Sequence, residues 1–315
     1  MKLIILGTTK FAAKCAEAIL DSDDTLSAII SMPTELAPDN STDLLGYALR
    51  RKVPYHEIAD INSEESHRII ASYSPDYIVS AWPKILKSEI LKIPNYYCIG
   101  THPTSLPFNR GRHPLHWLIV LGIRKSHLSF FKMDRNIDNG NILLQLPYTV
   151  GLNASIEDLM ETVNKAASKG LASLLSYLRD NPEYLGIPQN TAQANYWRRR
   201  TAHDVTIDPR MSTAAIIRLV HSYSSPYPCA NLLIEDTCIK ITEAHVHDAT
   251  LKTSSDIQLM EPGKILLITD ELIRLKVDDG VVNLIPLSSV PPTAQSIEYI
   301  CPPSEYIRRY PNLIL

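Results

Sequence analysis

Through the first 180 residues, short apolar runs alternate with amphipathic stretches. KLIIL (2–6), LSAIIS (26–31), DYIVSAW (76–82) and YCIGTH (97–102) are apolar at consecutive positions, the pattern of strands buried on both faces. Between them, Phe11, Ala12, Cys15, Ala18 and Ile19 recur at helical spacing, with Thr9 placed to cap that helix. TDLLGYALRRK (42–52), SEESHRIIASY (63–73) and PLHWLIVLG (114–122) also read as helices, and VPYHEI (53–58) as extended. HLSFFKMD (127–134) and NILLQLPYTV (141–150) alternate more strictly and predict two further strands. A long helix follows over 155–180, opened by Ser155 and Asp158 as a capping box with Asp in the usual Glu position.

The pattern changes after residue 185. GIPQNTAQANYWRRRTAHD (186–204) is polar and aperiodic, and reads as a linker. Its basic WRRR (197–200) reads as a solvated face. STAAIIRLVHSYSS (212–225) is one amphipathic helix, and the strand-like segments ANLLIE, CIKITEAHVH, GKILLIT, LIRLKVD and VVNLIPL follow, separated by turn residues. The predicted class is α/β: a Rossmann-like, mostly parallel sheet with helices on both faces over 1–185, the linker 186–204, and a small β-barrel-like (OB-like) domain over 205–315.

Charge narrows the function classes. Thirty-one Lys and Arg stand against 34 Asp and Glu, a net charge of −3, which gives no general attraction to nucleic acid. No apolar run approaches the ~20 residues that span a bilayer. The opening segment reads as strand then helix rather than as a signal peptide, so a cytoplasmic location is expected. The five cysteines (Cys15, Cys98, Cys229, Cys238, Cys301) are widely spaced and odd in number, as expected of reduced thiols. The pairs His113/His116 and His245/His247 lack further ligands at metal spacing, so no metal is expected.

Candidate chemistry gathers at CIGTHPTSLPFNRGRHPLHW (98–117). His102 ends a strand, where open α/β sheets bind ligands. Alternation places Gly100 and His102 on one face and Thr101 on the other. Asp138, before the turn pair Asn139-Gly140, can project from a second loop. A carboxylate that orients an imidazole is an arrangement for proton transfer. By spacing alone, a strand-end histidine is more often structural, and Asp-Asn-Gly is more often a plain turn.

These residues resemble the 10-formyltetrahydrofolate-dependent formyltransferase family. Its signature runs Asn-x-His, Ser-Leu-Leu-Pro, Arg-Gly, Pro-x-x-Trp and then Asp-Thr/Ser-Gly. His102 and Asp138 match the signature His and Asp, Arg110-Gly111 and Pro114-x-x-Trp117 match directly, and Ser105-Leu106-Pro107 match the loop one leucine short. LGTTKFAAKCAEAIL resembles the family's opening, and IDPRMSTAAIIRLVHSYSSPYPCANLL the C-terminal domain shared by methionyl-tRNA formyltransferases and some sugar N-formyltransferases.

The resemblance implies a primary amine attacking the formyl carbon of 10-formyltetrahydrofolate, with His102 meeting the tetrahedral intermediate and Asp138 orienting it. It places the folate co-substrate against Ala81, Trp82 and Pro83, with Ile137, Asn139 and Gly140 closing over it. Thr104, Ser105, Asn109, Arg110, Gly111, Arg112 and His113 fall to the amine substrate. One departure stands out: Gly100 occupies the position of the family Asn, which meets the formyl oxygen. Losing one oxyanion donor costs roughly 3–4 kcal/mol of transition-state stabilisation.

The resemblance leaves the amine to be chosen. A basic loop after the second strand grips tRNA in methionyl-tRNA formyltransferases; the matching SMPTELAPDNSTD (31–43) has no Lys or Arg and three acids. The expected substrate is therefore a nucleotide-linked amino sugar, as in polysaccharide biosynthesis, with folate as the second partner and neither nucleic acid nor membrane. A homodimer is left open. Methionyl-tRNA is the alternative amine, and a non-catalytic folate- or nucleotide-sugar-binding protein the alternative class, because of Gly100.

Overall fold

The computed structural model describes residues 1–247 and 255–303; the far end of the expected 205–315 domain lies outside them. The chain packs as two units. One comprises 1–114, 125–149 and 160–198; the other comprises 115–124, 150–159 and the residues from 199 onward.

The first unit is built on seven strands. They are β1 (Lys2–Gly7), β2 (Thr25–Ser31), β3 (Tyr55–Glu57), β4 (Tyr77–Ala81), β5 (Tyr97–His102), β7 (Lys125–Lys132) and β8 (Ile142–Thr149), in the order β3-β2-β1-β4-β5-β7-β8. The pairs from β3 to β5 are parallel; β7 and β8 add antiparallel at the β5 edge. The order reverses between β1 and β4, the crevice where such sheets bind ligands. On one face Ile4, Leu6, Ala28, Ile30, Ile78 and Cys98 pack with Ile70, Leu86 and Ile90.

The helices of the first 114 residues are α1 (Lys10–Leu20), α2 (Leu44–Arg51), α3 (Glu64–Ser72) and α4 (Ser88–Leu91). α1 buries Ala12, Cys15, Ala16, Ala18 and Ile19. Thr9 does hold its N-cap position, but its side chain makes no capping bond. Asp43 and Ser63 do cap, accepting from Gly46 N and Ser66 N. α5 (Pro114–Val120) begins where the units meet in sequence, and α6 (Ile156–Asp180) opens with the expected box: Asp158 N–H donates to Ser155 Oγ (3.1 Å) and Ser155 N–H to Asp158 Oδ2 (3.0 Å). Two-residue strands β6 (Arg110–Gly111) and β9 (Tyr196–Trp197), too short to leave a periodic signature, pair in parallel.

The second unit holds α7 (Thr213–His221), β10 (Ala230–Ile234), β11 (Thr237–Val246), α8 (Ser255–Gln258), β12 (Ile265–Ile268), β13 (Ile273–Val277), β14 (Gly280–Pro286) and α9 (Pro292–Gln295). All five strands expected from alternation form, as one antiparallel sheet in the order β10-β11-β14-β13-β12. Among the described residues no pairing joins β10 to β12, so this is an open half-barrel. Ile216, Leu219 and Val220 of α7 pack on its apolar face. Residues 115–124 belong with this unit because α5 lies among C-terminal partners. His116 is buried between Tyr223 and Tyr227, with Nδ1 2.6 Å from Ser222 O. Arg200, only 4% exposed, lies over Trp117 and Tyr223, so the WRRR run is not uniformly solvated: Arg198 and Arg199 face outward and Arg200 inward. No helix among the described residues is long and apolar enough to cross a membrane.

Candidate active site

His102 ends β5 and is 5% exposed. Its Nε2 lies 2.8 Å from the carbonyl oxygen of Asn109. A carbonyl only accepts, so Nε2 carries the hydrogen of that bond. Nδ1 lies 3.5 Å from Asp138 Oδ2, which also accepts from the backbone N–H of Gly111 at 2.9 Å. Residues 36 positions apart in sequence, at 102 and 138, thus come together directly, and Asp138 also holds Gly111 of the Arg-Gly pair. Asn109 (φ 62°), His113 (φ 54°) and Asp138 (φ 51°) all adopt left-handed backbone, a concentration of strain in two loops that the surroundings must hold.

The loop after His102 is held from behind. Tyr148 OH donates to Pro103 O (2.6 Å), Ser129 Oγ to Thr104 O (2.6 Å) and Gln145 Nε2 to Leu106 O (3.0 Å). Ser105 Oγ pairs with His127 Nδ1 (2.8 Å), and Thr104, fully buried, donates its hydroxyl to Phe108 O and Asn109 O. Arg110 is 1% exposed: its Nε and Nη2 donate to Gln189 Oε1 (3.2 and 2.7 Å) and Nη1 to Tyr196 OH (2.9 Å). Of the residues expected at the amine substrate, Thr104 and Arg110 are buried and hydrogen-bonded within these loops, and Ser105 is half-buried beside His127. Arg112 is exposed, and its Nη1 donates to Pro83 O at 3.2 Å.

Ala81 ends β4 opposite Gly7. Trp82 packs against the sheet's apolar cluster, yet among the described residues its buried indole N–H has no acceptor. Ile137 is 51% exposed, Asn139 Nδ2 donates to Asp134 Oδ2 (3.4 Å), and a Cβ on Gly140 would stand 1.6 Å from Lys132 O, so the turn closes only with glycine there. At Gly100 a Cβ would meet Phe131 Cζ at 2.6 Å and Met133 Cγ at 2.8 Å. Phe131 is paired with Gly100 across β5 and β7, and its ring fills the space where an Asn side chain would begin. Among the described residues no three His, Cys, Asp or Glu side chains gather as metal ligands.

Sequence reasoning missed the backing from 186–197. Asn195 Oδ1 accepts from Asn109 N–H (2.8 Å), Asn195 O from Arg110 N–H (3.0 Å), and Trp197 O from Arg112 N–H (3.0 Å). Gln189 reaches both Arg110 and the 138–140 turn. Nothing in the apolar periodicity marks these residues, because their work is done by amides and backbone.

Two family models match the chain: "Formyl transferase" over residues 1–175 and "Formyl transferase, C-terminal domain" over 200–291. A methionyl-tRNA formyltransferase from Alkaliphilus oremlandii (strain OhILAs) is 26% identical over 289 residues, 90% of each chain. WlaRD, a sugar 3N-formyl transferase solved in the presence of dTDP and 5-N-formyl-THF, superposes with TM-score 0.66 at 15% identity over 92% of this chain and 99% of its own. An N-formyltransferase from Helicobacter canadensis, in complex with folinic acid and dTDP-3-aminofucose, gives 0.65 at 16% identity over 91% and 99%. HypX from Aquifex aeolicus in complex with tetrahydrofolic acid gives 0.60 at 16% identity over 90% of this chain; the chain spans 43% of HypX. With the first model covering more than half of its length, this chain belongs to the formyl transferase family, and it is a formyltransferase.

Proposed function

We propose that this enzyme transfers a formyl group from 10-formyltetrahydrofolate to the primary amine of a nucleotide-linked amino sugar. The observation that carries the choice of amine is the 31–43 segment. It has no Lys or Arg where a tRNA backbone would need them, and Glu35, Asp39 and Asp43 instead. Asp43 is spent as the cap of α2. The two sugar N-formyltransferases that share this fold along nearly their whole length support the same choice. The 26% identity to a methionyl-tRNA formyltransferase favours the second reading.

The folate supplies the formyl carbon as electrophile. The chain's part is to accept the proton that the attacking amine sheds and to meet charge on the formyl oxygen. His102 presents Nε2–H to that oxygen by exchanging Asn109 O for it, and Asp138 keeps the imidazole turned so. The Asp138 carboxylate and the imidazole together carry the amine proton toward the departing folate nitrogen. Ala81, Trp82 and Pro83, with the turn of Ile137, Asn139 and Gly140, are assigned to the folate. Trp82 Nε1 is a ready donor for it. Asn109, Gly111, Arg112 and His113 are assigned to the amine substrate, the exposed Arg112 to its diphosphate.

The test is turnover with 10-formyltetrahydrofolate against a panel of amino-sugar nucleotides and against methionyl-tRNA. Formylation of a sugar nucleotide is expected, and His102→Ala and Asp138→Ala should each abolish it in folded protein. Activity on methionyl-tRNA alone would overturn the sugar assignment. Ligand binding with no transfer to any amine would favour a non-catalytic binding protein.

A further inference from the structure

Every hydrogen-bonding position of the Gln189 side-chain amide is used. Oε1 accepts from Arg110 Nη2 (2.7 Å) and Nε (3.2 Å); Nε2 donates to Asp138 O (2.9 Å) and Gly140 O (2.7 Å). The guanidinium has to face the oxygen and the two carbonyls the NH2 group, so the amide has one orientation. It spans both loops of the candidate site. On one side is Arg110, buried and without a carboxylate partner among the described residues; its neighbour Gly111 donates to Asp138 Oδ2. On the other is the turn that carries Asp138 in left-handed backbone. Residues 134–137 of that turn are exposed; its base is tied by Lys132 N–H on Asn141 O and Met133 N–H on Cys98 O, and its carboxylate by Gly111 N–H, while Gln189 holds the backbone carbonyls of Asp138 and Gly140. Gln189 also lies between the spans of the two family models, which end at 175 and begin at 200.

We infer that Gln189 is a positioning residue for formyl transfer: it sets the separation of the Asp138 carboxylate from His102 by tying the 138–140 turn to Arg110. The inference rests on the formyl-transfer reading for its kinetic consequence, not for its geometry. Displacing a reacting group by an ångström costs about 100-fold in rate without removing any substrate contact. The two halves of the amide can be separated. Gln189→Met removes both. Gln189→Glu keeps an oxygen for Arg110 but sets its second oxygen against the carbonyls of Asp138 and Gly140.

Steady-state kinetics with both substrates is the first measurement. Both variants should lose about 100-fold in kcat, with KM for folate and amine within about twofold of wild type. Wild-type kcat in either folded variant overturns the inference, as does a loss confined to KM, which would mean a substrate contact. A Gln189→Glu enzyme with full activity would show that Gln189 merely serves Arg110, again overturning it. The second measurement needs no activity: long-range 1H–15N NMR of the His102 ring in the protein alone. Its ring nitrogen shifts should move in both variants, and identical shifts would overturn the inference. If wild-type protein formylates nothing while the His102 shifts still move, the functional proposal fails and the positioning role stands.

Discussion

A Cβ at position 100 would stand 2.6 Å from Phe131 Cζ, closer than packed carbons come, so Gly100 and Phe131 form one unit rather than a deletion beside an unrelated aromatic. The ring covers the bare backbone of its cross-strand partner, as aromatics do for glycines in sheets. Introducing at position 100 the Asn that the family resemblance would place there therefore fails alone: Gly100→Asn should destabilise by about 1–3 kcal/mol through overpacking. Phe131→Ala should cost about 3–5 kcal/mol through the cavity it opens. Combined, the two should cost less than their sum by about 0.5–3 kcal/mol, because the Asn enters the space the ring leaves. Denaturant unfolding of the four proteins closes this cycle. Simple additivity would show that the ring and the position-100 side chain do not compete for the same space. Turnover by the double variant then asks whether a side-chain amide there still serves the formyl oxygen.

At the level of elements, the capping box of α6 gives a pH-dependent prediction. The Asp158 carboxyl is held below its ordinary range, first by the backbone N–H of Ser155 and then by the Ser155 hydroxyl. A carboxyl depressed in the folded state stabilises above its unfolded pKa of about 3.9 and loses that contribution as pH falls through the lower folded value. Asp158→Ala should therefore cost about 1 kcal/mol at neutral pH, a gap that narrows steadily once pH drops below about 4. A gap independent of pH would mean that packing, not the box, accounts for it. This box was legible because Ser155 and Asp158 stand at fixed spacing before an apolar periodic run. The buried strands and the C-terminal sheet were legible for the same reason: their stability comes from apolar side chains at regular intervals. The His102–Asp138 pairing needed the family signature, since neither residue's spacing distinguishes a site from a turn. The 186–197 segment was hidden from both. β6 and β9 are two residues each, and Gln189 and Asn195 act through amides that composition reads as linker.

For the molecule as a whole, a polar stretch at 186–204 invites a cut that the packing does not endorse. Residues 115–124 and 150–159 precede that stretch yet belong to the C-terminal unit. Partners of α5 lie within or beyond that stretch: Ser222, Tyr223 and Tyr227 around His116, Arg200 over Trp117, and Arg218 Nε donating to Val120 O at 3.1 Å at the end of α5. A chain ending at residue 198 keeps the seven-stranded sheet, the His102–Asp138 loops and the Gln189 clamp, all of which are internal to the first unit. It strips α5 of its cover, exposing an apolar helix together with the buried ring of His116. Such a fragment should bind a hydrophobic dye more strongly, aggregate more readily and melt at a lower temperature than the full chain. A fragment as monomeric and as heat-stable as the full chain would show that α5 belongs with the first unit. The domain boundary would then be where polarity alone would put it.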